Sequence, residues 1–320
     1  MNKKFKKALF ITLPIVLGVF LIWIYIQKFT DAQLDEIVYN MKHANYWWIL
    51  LSLFFGILSH LSRAYRWHFM LEPLGYKPKF PNTIMAVLLA YLLNLVVPRS
   101  GEVARAATLS KYEEVPFEKG FGTIVAERIA DIIMLLLILG IVFFYQTDLI
   151  LGYFSGVDPT KKILILAVLI SFFFIGIRLI KKATHPFLVK IRVFINGLIE
   201  GVGSIFKMKK KWAFIFHTLF IWIMYIAMFW AVTFTIPETS HLSFEAILVG
   251  FIAGAIAMSI TNGGFGAYPV FVASALALYS IKEEAGASFG LLMWTSQTIM
   301  VLLFGGLSLL FLPIYNKDKV

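Results

Sequence analysis

Long apolar runs separated by short polar segments recur along the whole chain. Six of them are of spanning length, since a helix that rises about 1.5 Å per residue needs about 20 residues to cross the roughly 30 Å hydrocarbon core of a bilayer. These runs are residues 8–26, 46–62, 121–145, 162–180, 212–236 and 286–313. The pattern predicts an all-α polytopic membrane protein, with residues 1–320 forming a single integral membrane domain.

Two further apolar segments are interrupted by residues that break helices. Residues 83–111 contain Pro98 and Gly101, and residues 244–281 contain the glycine-rich run 262–269. After the first break, too few apolar residues remain before the next polar turn to span the core. We therefore predict two re-entrant helical hairpins, whose broken backbone must be satisfied by protein or by a water-filled cavity.

Basic residues give the expected orientation. With six crossings and two hairpins, the N-terminus and the basic segments 63–79, 178–211 and 317–319 all lie on one side of the membrane, as the positive-inside rule requires. Making both hairpins full crossings would put the segment 178–211 outside. We therefore expect a cell (inner) membrane protein with both termini in the cytoplasm. The net charge of +11 reflects this bias, which favours anionic headgroups and needs no nucleic-acid partner.

An internal repeat is indicated by the order of these features. Residues 83–145 and 244–313 both contain an apolar run, a Gly/Pro break, a short amphipathic run, a charged turn and a long apolar run, and Gly101 falls near Gly266. Because one hairpin enters from each side, the repeat is expected to be inverted, an architecture of transporters whose broken helices meet near the midplane. The alternative is a chance overlap of hydropathy patterns.

Six charged residues lie within or beside the apolar runs, where an ionisable side chain costs roughly 2.5–3.5 kcal/mol and marks a pathway or binding site. They are Arg99, Glu102, Arg105, Glu127, Arg128 and Asp131. Their spacing places two pairs on shared helix faces, Glu102 with Arg105 and Glu127 with Asp131. One interpretation is a polar cavity in which an arginine binds phosphate. The other is an ion-pair cluster that locks the hairpin against helix 121–145.

The polar and glycine residues at the two breaks also have two interpretations each. Asn94 either caps the freed backbone of the first hairpin or lines the cavity. The second break contains Asn262, Gly263, Gly264 and Gly266. The backbone N–H groups of this turn, at the start of a helix, either bind an anion or only allow the chain to turn tightly.

Two basic segments are predicted to lie at the membrane surface. Arg63, Arg66 and Trp67, where helix 46–62 leaves the membrane, are expected to be interfacial anchors, with headgroup contact as the alternative. Residues 186–206, within the basic loop 181–211, alternate apolar and basic residues and suggest a helix lying on the inner surface. An ordinary solvated linker is the alternative there.

Catalytic motifs are not evident in the sequence. The six histidines lack the spacing of a metal pair and cysteine is absent. A P-loop, a dinucleotide fingerprint and a serine nucleophile elbow are also missing. The sequence therefore predicts neither an enzyme nor a cofactor.

The first break and the charged patch together resemble the signature of the lysylphosphatidylglycerol synthase transmembrane-region family, also called flippase-like. The matching residues are Asn94, Pro98, Gly101, Glu102, Arg105, Glu127, Arg128 and Asp131, with Arg66, Trp67 and Gly-Gly-x-Gly at 263–266. In bifunctional members, the membrane region is similar to a lipid flippase and a soluble domain transfers an amino acid to the lipid. Because these 320 residues contain no counterpart of that domain, the resemblance implies lipid handling without aminoacyl transfer.

We expect a lipid flippase or scramblase that moves or binds an anionic phospholipid or a polyprenyl-phosphate lipid. Arg99, Arg105 or Arg128 would contact the phosphate, and the three carboxylates would orient the arginines or carry a coupling proton. Three alternatives stay open: a subunit that presents lipid to a separate glycosyl- or aminoacyl-transferase, a membrane-embedded transferase acting on headgroups, and an ion or small-solute transporter. The oligomeric state does not follow from the sequence.

Overall fold

The computed structural model describes residues 12, 16, 18–97, 99–145, 189 and 208–319. Within this part of the chain every regular element is a helix, and no strand occurs. The α-helices are α1 (18–26), α2 (Asp31–His43), α3 (Tyr46–Leu71), α4 (Phe80–Val96), α5 (Ser100–Glu113), α6 (Phe117–Tyr145), α7 (Lys211–Thr233), α8 (Phe244–Ile260), α9 (Ala267–Ala277) and α10 (Glu283–Tyr315).

Four of these helices are long and apolar enough to cross a membrane, namely α3 with its following turn, α6, α7 and α10. The prediction of an all-α polytopic membrane protein is thereby confirmed. Only the second half of the expected first crossing, 8–26, is described. The expected crossing at 162–180 lies outside the described residues, and so does the expected surface helix at 186–206 except for Val189.

The chain divides into two compact units. The first contains Met1–Glu127 and Trp212–Val320, and the second contains Arg128–Lys211. The described part of the second unit is mainly the segment of α6 from residue 128 to residue 145. The first unit contains both hairpins and most of the predicted site residues.

Polar caps determine where several helices of the first unit begin. Thr30 and Gln33 form a capping box at α2, Asn45 accepts from the backbone N–H of Trp47 at α3, and Ser243 caps α8 in the same way. Such side chains satisfy backbone donors that a helix start leaves without a partner. The short helix α2 was not anticipated from hydropathy, because its sequence is mostly polar.

The first predicted hairpin consists of α4 and α5. The two helices have 17 and 14 residues and so extend about 25 Å and about 21 Å, each less than a bilayer core. At the turn between them Arg99 adopts the left-handed region, with φ 60°. A Cβ at Gly101 would collide with the carbonyl of Ala90, so glycine allows α5 to pack closely on α4. Pro98 lies outside the described residues.

The second predicted hairpin consists of α8 and α9, joined by a turn at residues 261–266. Gly263, Gly264 and Gly266 all have positive φ, at 58°, 80° and 74°, which side chains with a Cβ rarely adopt. A Cβ at Gly263 would collide with the Leu95 side chain of α4. The tips of the two hairpins are therefore in contact. The membrane side from which each hairpin enters stays a prediction.

The hydrophobic core of the first unit holds the second hairpin in place. Its fully buried members on α7, α9 and α10 include Phe229, Val232, Val272, Leu276 and Phe289. In a bilayer the lipid tails are as apolar as these side chains, so close van der Waals packing, and not removal from water, makes the core stable. The core thus fixes α9 against α10 and α7.

The structure repeats position by position. The series α4–α5–α6 and α8–α9–α10 both begin with a helix of 17 residues. Gly120, the fourth residue of α6, packs against Ala106, the seventh residue of α5. Gly286, the fourth residue of α10, packs against Ala273, the seventh residue of α9. These matched contacts favour an internal repeat over a chance overlap of hydropathy patterns.

The repeats run in opposite directions. Along α3 and α7, Asn45 bonds to Thr235 and Ser52 bonds to Met228, so the two helices are antiparallel. These helices precede α4 and α8 and occupy equivalent places. Opposite direction of equivalent helices is the defining property of an inverted repeat.

The long helices confirm the inversion. Residues 63–67 of α3 contact residues 123–127 of α6 in reverse order, so α3 and α6 are antiparallel. Residues 52–56 of α3 contact residues 297–300 of α10 in the same order, so α3 and α10 are parallel. The equivalent helices α6 and α10 therefore run in opposite directions, as the sequence pattern predicted.

Candidate functional site

A buried carboxylate, Glu127, is surrounded by three arginines. Arg105 donates from both terminal nitrogens, to Oε1 at 3.1 Å and to Oε2 at 2.8 Å. Arg63 donates to Oε1, and the Arg66 Nη2 atom lies 3.3 Å from the same oxygen. Glu127 and Arg66 are fully buried, and the other two side chains are 3% exposed. Burying one partner of such a group alone is costly, so the four side chains are expected to act as a unit.

Three helices position this group, which we call the arginine cluster (Arg63, Arg66, Arg105 and Glu127). Arg63 and Arg66 are three residues apart and share one face of α3. Arg105 projects from α5, the returning arm of the first hairpin, and Glu127 from α6. The cluster therefore connects the first hairpin to the helices on either side of it.

The expectation that Arg63, Arg66 and Trp67 are interfacial anchors is wrong. Helix α3 does not end at residue 62 but continues to Leu71, and all three side chains are at most 3% exposed. Ion pairs with Glu127 offset the burial of the two arginines. The anchor pattern and the buried pattern look alike in the sequence, because both place charges at the end of an apolar run.

Aromatic and hydroxyl side chains hold the guanidinium groups in place. The Arg105 guanidinium lies 3.9 Å from the ring centre of Trp67, a cation–π contact. Trp67 in turn donates to Thr123 at 2.8 Å. Arg66 donates to Thr218 of α7 at 2.8 Å. Each guanidinium thus has a fixed plane, which is what bidentate recognition of an oxyanion requires.

A polar chain extends from the cluster to α4 and α7. The Arg63 Nη2 atom donates to the Tyr225 hydroxyl at 3.3 Å, and that hydroxyl lies 3.1 Å from the hydroxyl of Tyr91. The ring of Tyr91 packs on His60, with ring centres 4.4 Å apart. The cluster is therefore part of a network that reaches α4, the first helix of the first repeat, and α7, the helix that precedes the second repeat.

Arg128 and Asp131 belong to the second unit. They form an ion pair with one another at 3.3 Å, and the Arg128 side chain is 41% exposed. Glu127 and Asp131 had been expected to share one face of the helix. In the structure Glu127 pairs with arginines of the first unit, and Asp131 pairs with Arg128 of the second unit.

At the tip of the first hairpin, Asn94 caps the break, as one of its two interpretations predicted. Its Oδ1 atom accepts from the backbone N–H of Gly101 at 2.8 Å, and its Nδ2 atom donates to Glu102 at 3.4 Å. Glu102 and Arg105 lie on the same face of α5, but Glu102 accepts from Asn94 and Arg105 donates to Glu127. Arg99 is exposed beside the turn.

At the second break, the structure gives each glycine a packing role. Gly263 contacts Leu95, Gly264 lies against Tyr268, and Gly266 lies against the backbone of Gly18 in α1. The carbonyl of Gly263 also accepts from the Trp294 indole at 2.8 Å. These contacts explain the turn without a ligand, so anion binding by its N–H groups stays a prediction.

Asn262, at the same break, has an unsatisfied donor. The residue is 9% exposed, and its Nδ2 atom has no hydrogen-bond partner among the described residues. Buried amide donors are normally paired. Ligand binding by Asn262 at the second break stays a prediction.

Sequence reasoning missed Arg63 and Arg66 as partners of Glu127. A signal was present, because two arginines three residues apart follow an apolar run while a glutamate lies inside a later one. A carboxylate at that depth requires cations on a facing helix. Matching the two segments by charge would have paired them.

Comparison with known proteins agrees with this architecture. The UPF0104 membrane protein MJ1595 of Methanocaldococcus jannaschii is 24% identical over 312 residues, which cover 87% of this chain and 88% of that protein. The UPF0104 membrane protein PH1989 of Pyrococcus horikoshii is 26% identical over 144 residues, or 44% of this chain and 41% of that protein. No solved structure matches. The sequence family described as the lysylphosphatidylglycerol synthase TM region matches residues 11–305, so the chain belongs to that family.

Proposed function

We propose that this protein binds the phosphate group of an anionic membrane lipid and moves the lipid between the two leaflets, as a flippase or scramblase. The observation that carries the proposal is the inverted repeat of broken helices, whose tips meet at Leu95 and Gly263. Transporters with this architecture place their substrate at the repeat interface, beside discontinuous helices. Anionic phospholipids and polyprenyl-phosphate lipids both carry the required group.

The arginine cluster suits phosphate because guanidinium groups bind two oxygens at once and stay charged at membrane depth. Glu127 orients three guanidinium groups, and Arg105 lies on α5, the returning arm of the first hairpin. Movement of that arm would change the geometry of the whole cluster. In this proposal the same side chains form the ion-pair cluster in one state of the protein and bind the phosphate in another.

Arg99 would make the first contact with the headgroup. It is exposed at the hairpin tip, five residues after Asn94, which caps the turn. Arg128, also partly exposed, would serve the same purpose in the second unit. The carboxylates Glu102, Glu127 and Asp131 would set arginine geometry or carry a coupling proton.

A second candidate function follows from the family description, which names the membrane region of a synthase. The protein would then present lipid to a separate glycosyl- or aminoacyl-transferase. This candidate predicts that the purified protein moves no lipid by itself. It keeps the same site and the same lipid class.

The test is reconstitution into vesicles that contain fluorescent phosphatidylglycerol or phosphatidylcholine, followed by dithionite quenching of accessible lipid. The variant Arg99→Asn removes the tip charge and tolerates the left-handed backbone. Glu114→Asn is its matched control, since Glu114 is also exposed, has φ 56° and caps the other end of the same helix.

We expect wild type and Glu114→Asn to expose lipid of the inner leaflet, and Arg99→Asn to do so more slowly. Unchanged rates in Arg99→Asn would remove that residue from the site. A silent wild type with both lipids would overturn lipid movement and favour the partner-subunit function.

A further inference from the structure

A second carboxylate, Glu284 at the start of α10, is buried in the first unit. Its side chain is 8% exposed, and its Oε2 atom accepts from the Gln33 side chain of α2 at 3.2 Å. Among the described residues, no lysine, arginine or histidine forms an ion pair with it. Buried charges in proteins are normally paired or coordinate a metal ion. The positive charge that would balance Glu284 is therefore not supplied by the described helices.

Two more buried polar side chains lie along the contact between α2 and α10. Asn40 of α2 is 6% exposed, and its Nδ2 atom lies 3.4 Å from the Oγ atom of Ser288. The Oδ1 atom of Asn40 has no hydrogen-bond partner in the described part of the chain. Ser288 is fully buried and lies one turn after Glu284 in α10. An amide oxygen and a hydroxyl oxygen thus accompany the carboxylate.

The hydroxyl of Tyr25, in α1, is buried at the same place. The residue is 7% exposed, and its oxygen has no hydrogen-bond partner within the described ranges. Its ring packs with Ile37 and Ala287, which lie on the turns of α2 and α10 that carry the other polar side chains. The hydroxyl is within electrostatic range of Glu284. Because buried hydroxyl groups are normally hydrogen-bonded, this oxygen indicates a ligand.

The burial of Glu284 is not a general property of the repeat. Glu118 is the second residue of α6, as Glu284 is the second residue of α10, and Glu118 is exposed. In the second repeat, α2 packs against α10 and places Gln33 on the carboxylate. The helix α2 therefore encloses one glutamate of the equivalent pair.

From this arrangement we infer that four oxygen-bearing side chains bind a monovalent alkali cation, with Na⁺ as the ion to test. They are Tyr25, Asn40, Glu284 and Ser288. Oxygen atoms are the ligands that hard cations prefer. A single carboxylate balances a single positive charge, which favours Na⁺ over Ca²⁺. The ion would couple lipid movement to a gradient. That purpose rests on the proposed function, whereas binding of the ion does not.

The cation site and the arginine cluster are separate. Helices α3 and α10 run parallel, and Ser52 of α3 meets Gln297 of α10. Glu284 precedes this level in α10, whereas Arg63 follows it in α3. Binding of the cation therefore leaves the arginine cluster available for the lipid.

The test is titration of the purified chain in detergent with radioactive Na⁺ in a scintillation proximity assay. N-methylglucamine chloride keeps the ionic strength constant. Glu284→Gln removes the charge and keeps the size of the side chain. Glu283→Gln is the matched control, because Glu283 is adjacent, exposed and loses the same charge at the same helix start.

We expect saturable binding of one Na⁺ per chain by wild type and by Glu283→Gln, and loss of binding by Glu284→Gln. At a Na⁺ concentration ten times the dissociation constant, the ratio of folded to unfolded protein should rise about elevenfold in the first two proteins and stay unchanged in the third. Tyr25→Phe keeps the ring in its apolar cluster. It should bind Na⁺ more weakly and be at least as stable as wild type without Na⁺.

A wild type without saturable Na⁺ binding would overturn the inference, and a protonated Glu284 or a bound water molecule would give that result. Equal binding by Glu284→Gln and Glu283→Gln would overturn the location of the site. Stronger stabilisation by Ca²⁺ than by Na⁺ would overturn the charge of the ion. A protein that binds Na⁺ but moves no lipid keeps the site and loses the flippase function. A protein that moves lipid without binding Na⁺ loses the site alone.

Discussion

The Arg105 guanidinium donates to both oxygens of Glu127, and its central carbon lies 3.9 Å from the centre of the Trp67 ring. One side chain thus joins the returning arm of the first hairpin to α6 and α3 at the same time. A fork held by a carboxylate on its edge and by an aromatic ring on its face has little freedom to rotate. Arg105 is consequently a polar tie between the first hairpin and two long helices, in addition to the packing of α5 on α6.

Glu127→Gln should strongly destabilise the protein. The substitution removes the anion and leaves three guanidinium groups close together in a buried place, which costs about 3–5 kcal/mol for a broken buried pair. Arg128→Gln, on the next residue and partly exposed, should cost about 0–1 kcal/mol. Thermal unfolding in one detergent measures both. Similar losses of stability in the two variants would contradict the conclusion that Glu127 stabilises the arginine cluster.

Gly101→Ala should loosen the first hairpin. The added Cβ would meet the carbonyl of Ala90, and such overpacking typically costs about 1–3 kcal/mol. Gly122→Ala is the control, since open space surrounds that glycine in α6 and alanine favours a helix by up to about 1 kcal/mol. Opposite shifts of the midpoint in thermal unfolding are expected. An unchanged Gly101→Ala protein would mean that α4 and α5 are not closely packed.

Asn82 and Asn316 should show strong coupling. Their buried side chains exchange two hydrogen bonds, at 2.9 Å and 2.8 Å, and Asn82 also donates to Glu113. Either change to Ala removes the donor to the Oδ1 atom of the other amide, at about 1–3 kcal/mol, while the Nδ2 atoms keep Glu113 and the Leu312 carbonyl as acceptors. The double variant should therefore lose less than the sum of the two, with a coupling of about 0.5–3 kcal/mol. Additive losses in a double-mutant cycle would rule out a direct pair.

Ala106→Cys with Gly120→Cys should form a disulfide between α5 and α6. The Cβ positions are 3.7 Å apart, close to the mean of about 3.8 Å in disulfides. Ala106→Cys with Gly122→Cys is the negative control, because no atom lies within 4 Å of a Cβ at Gly122. Loss of free thiol under mild oxidation reports the bond. Equal oxidation of both pairs would contradict the packing on which the repeat is based.

The hairpins could be predicted from sequence because their signals are local. Glycines interrupt apolar runs where the chain turns, and Asn94 lies one helical turn before its break. The partners of Glu127 could not be found in this way, since Arg63 is 64 residues away in the chain. A hydropathy window also ends the predicted helix at the first arginine. In the structure α3 continues to Leu71, because ion pairs with Glu127 offset the burial of its two arginines.

The backbone repeat is not matched by a repeat of charge. Glu127 is the eleventh residue of α6, and the eleventh residue of α10 is Met293. In a perfectly symmetric molecule, two conformations in which the two repeats exchange their arrangements would have equal energies. Because one repeat carries the arginine cluster and the other has a methionine at the equivalent position, the two conformations differ in energy. The protein would then have a preferred resting state.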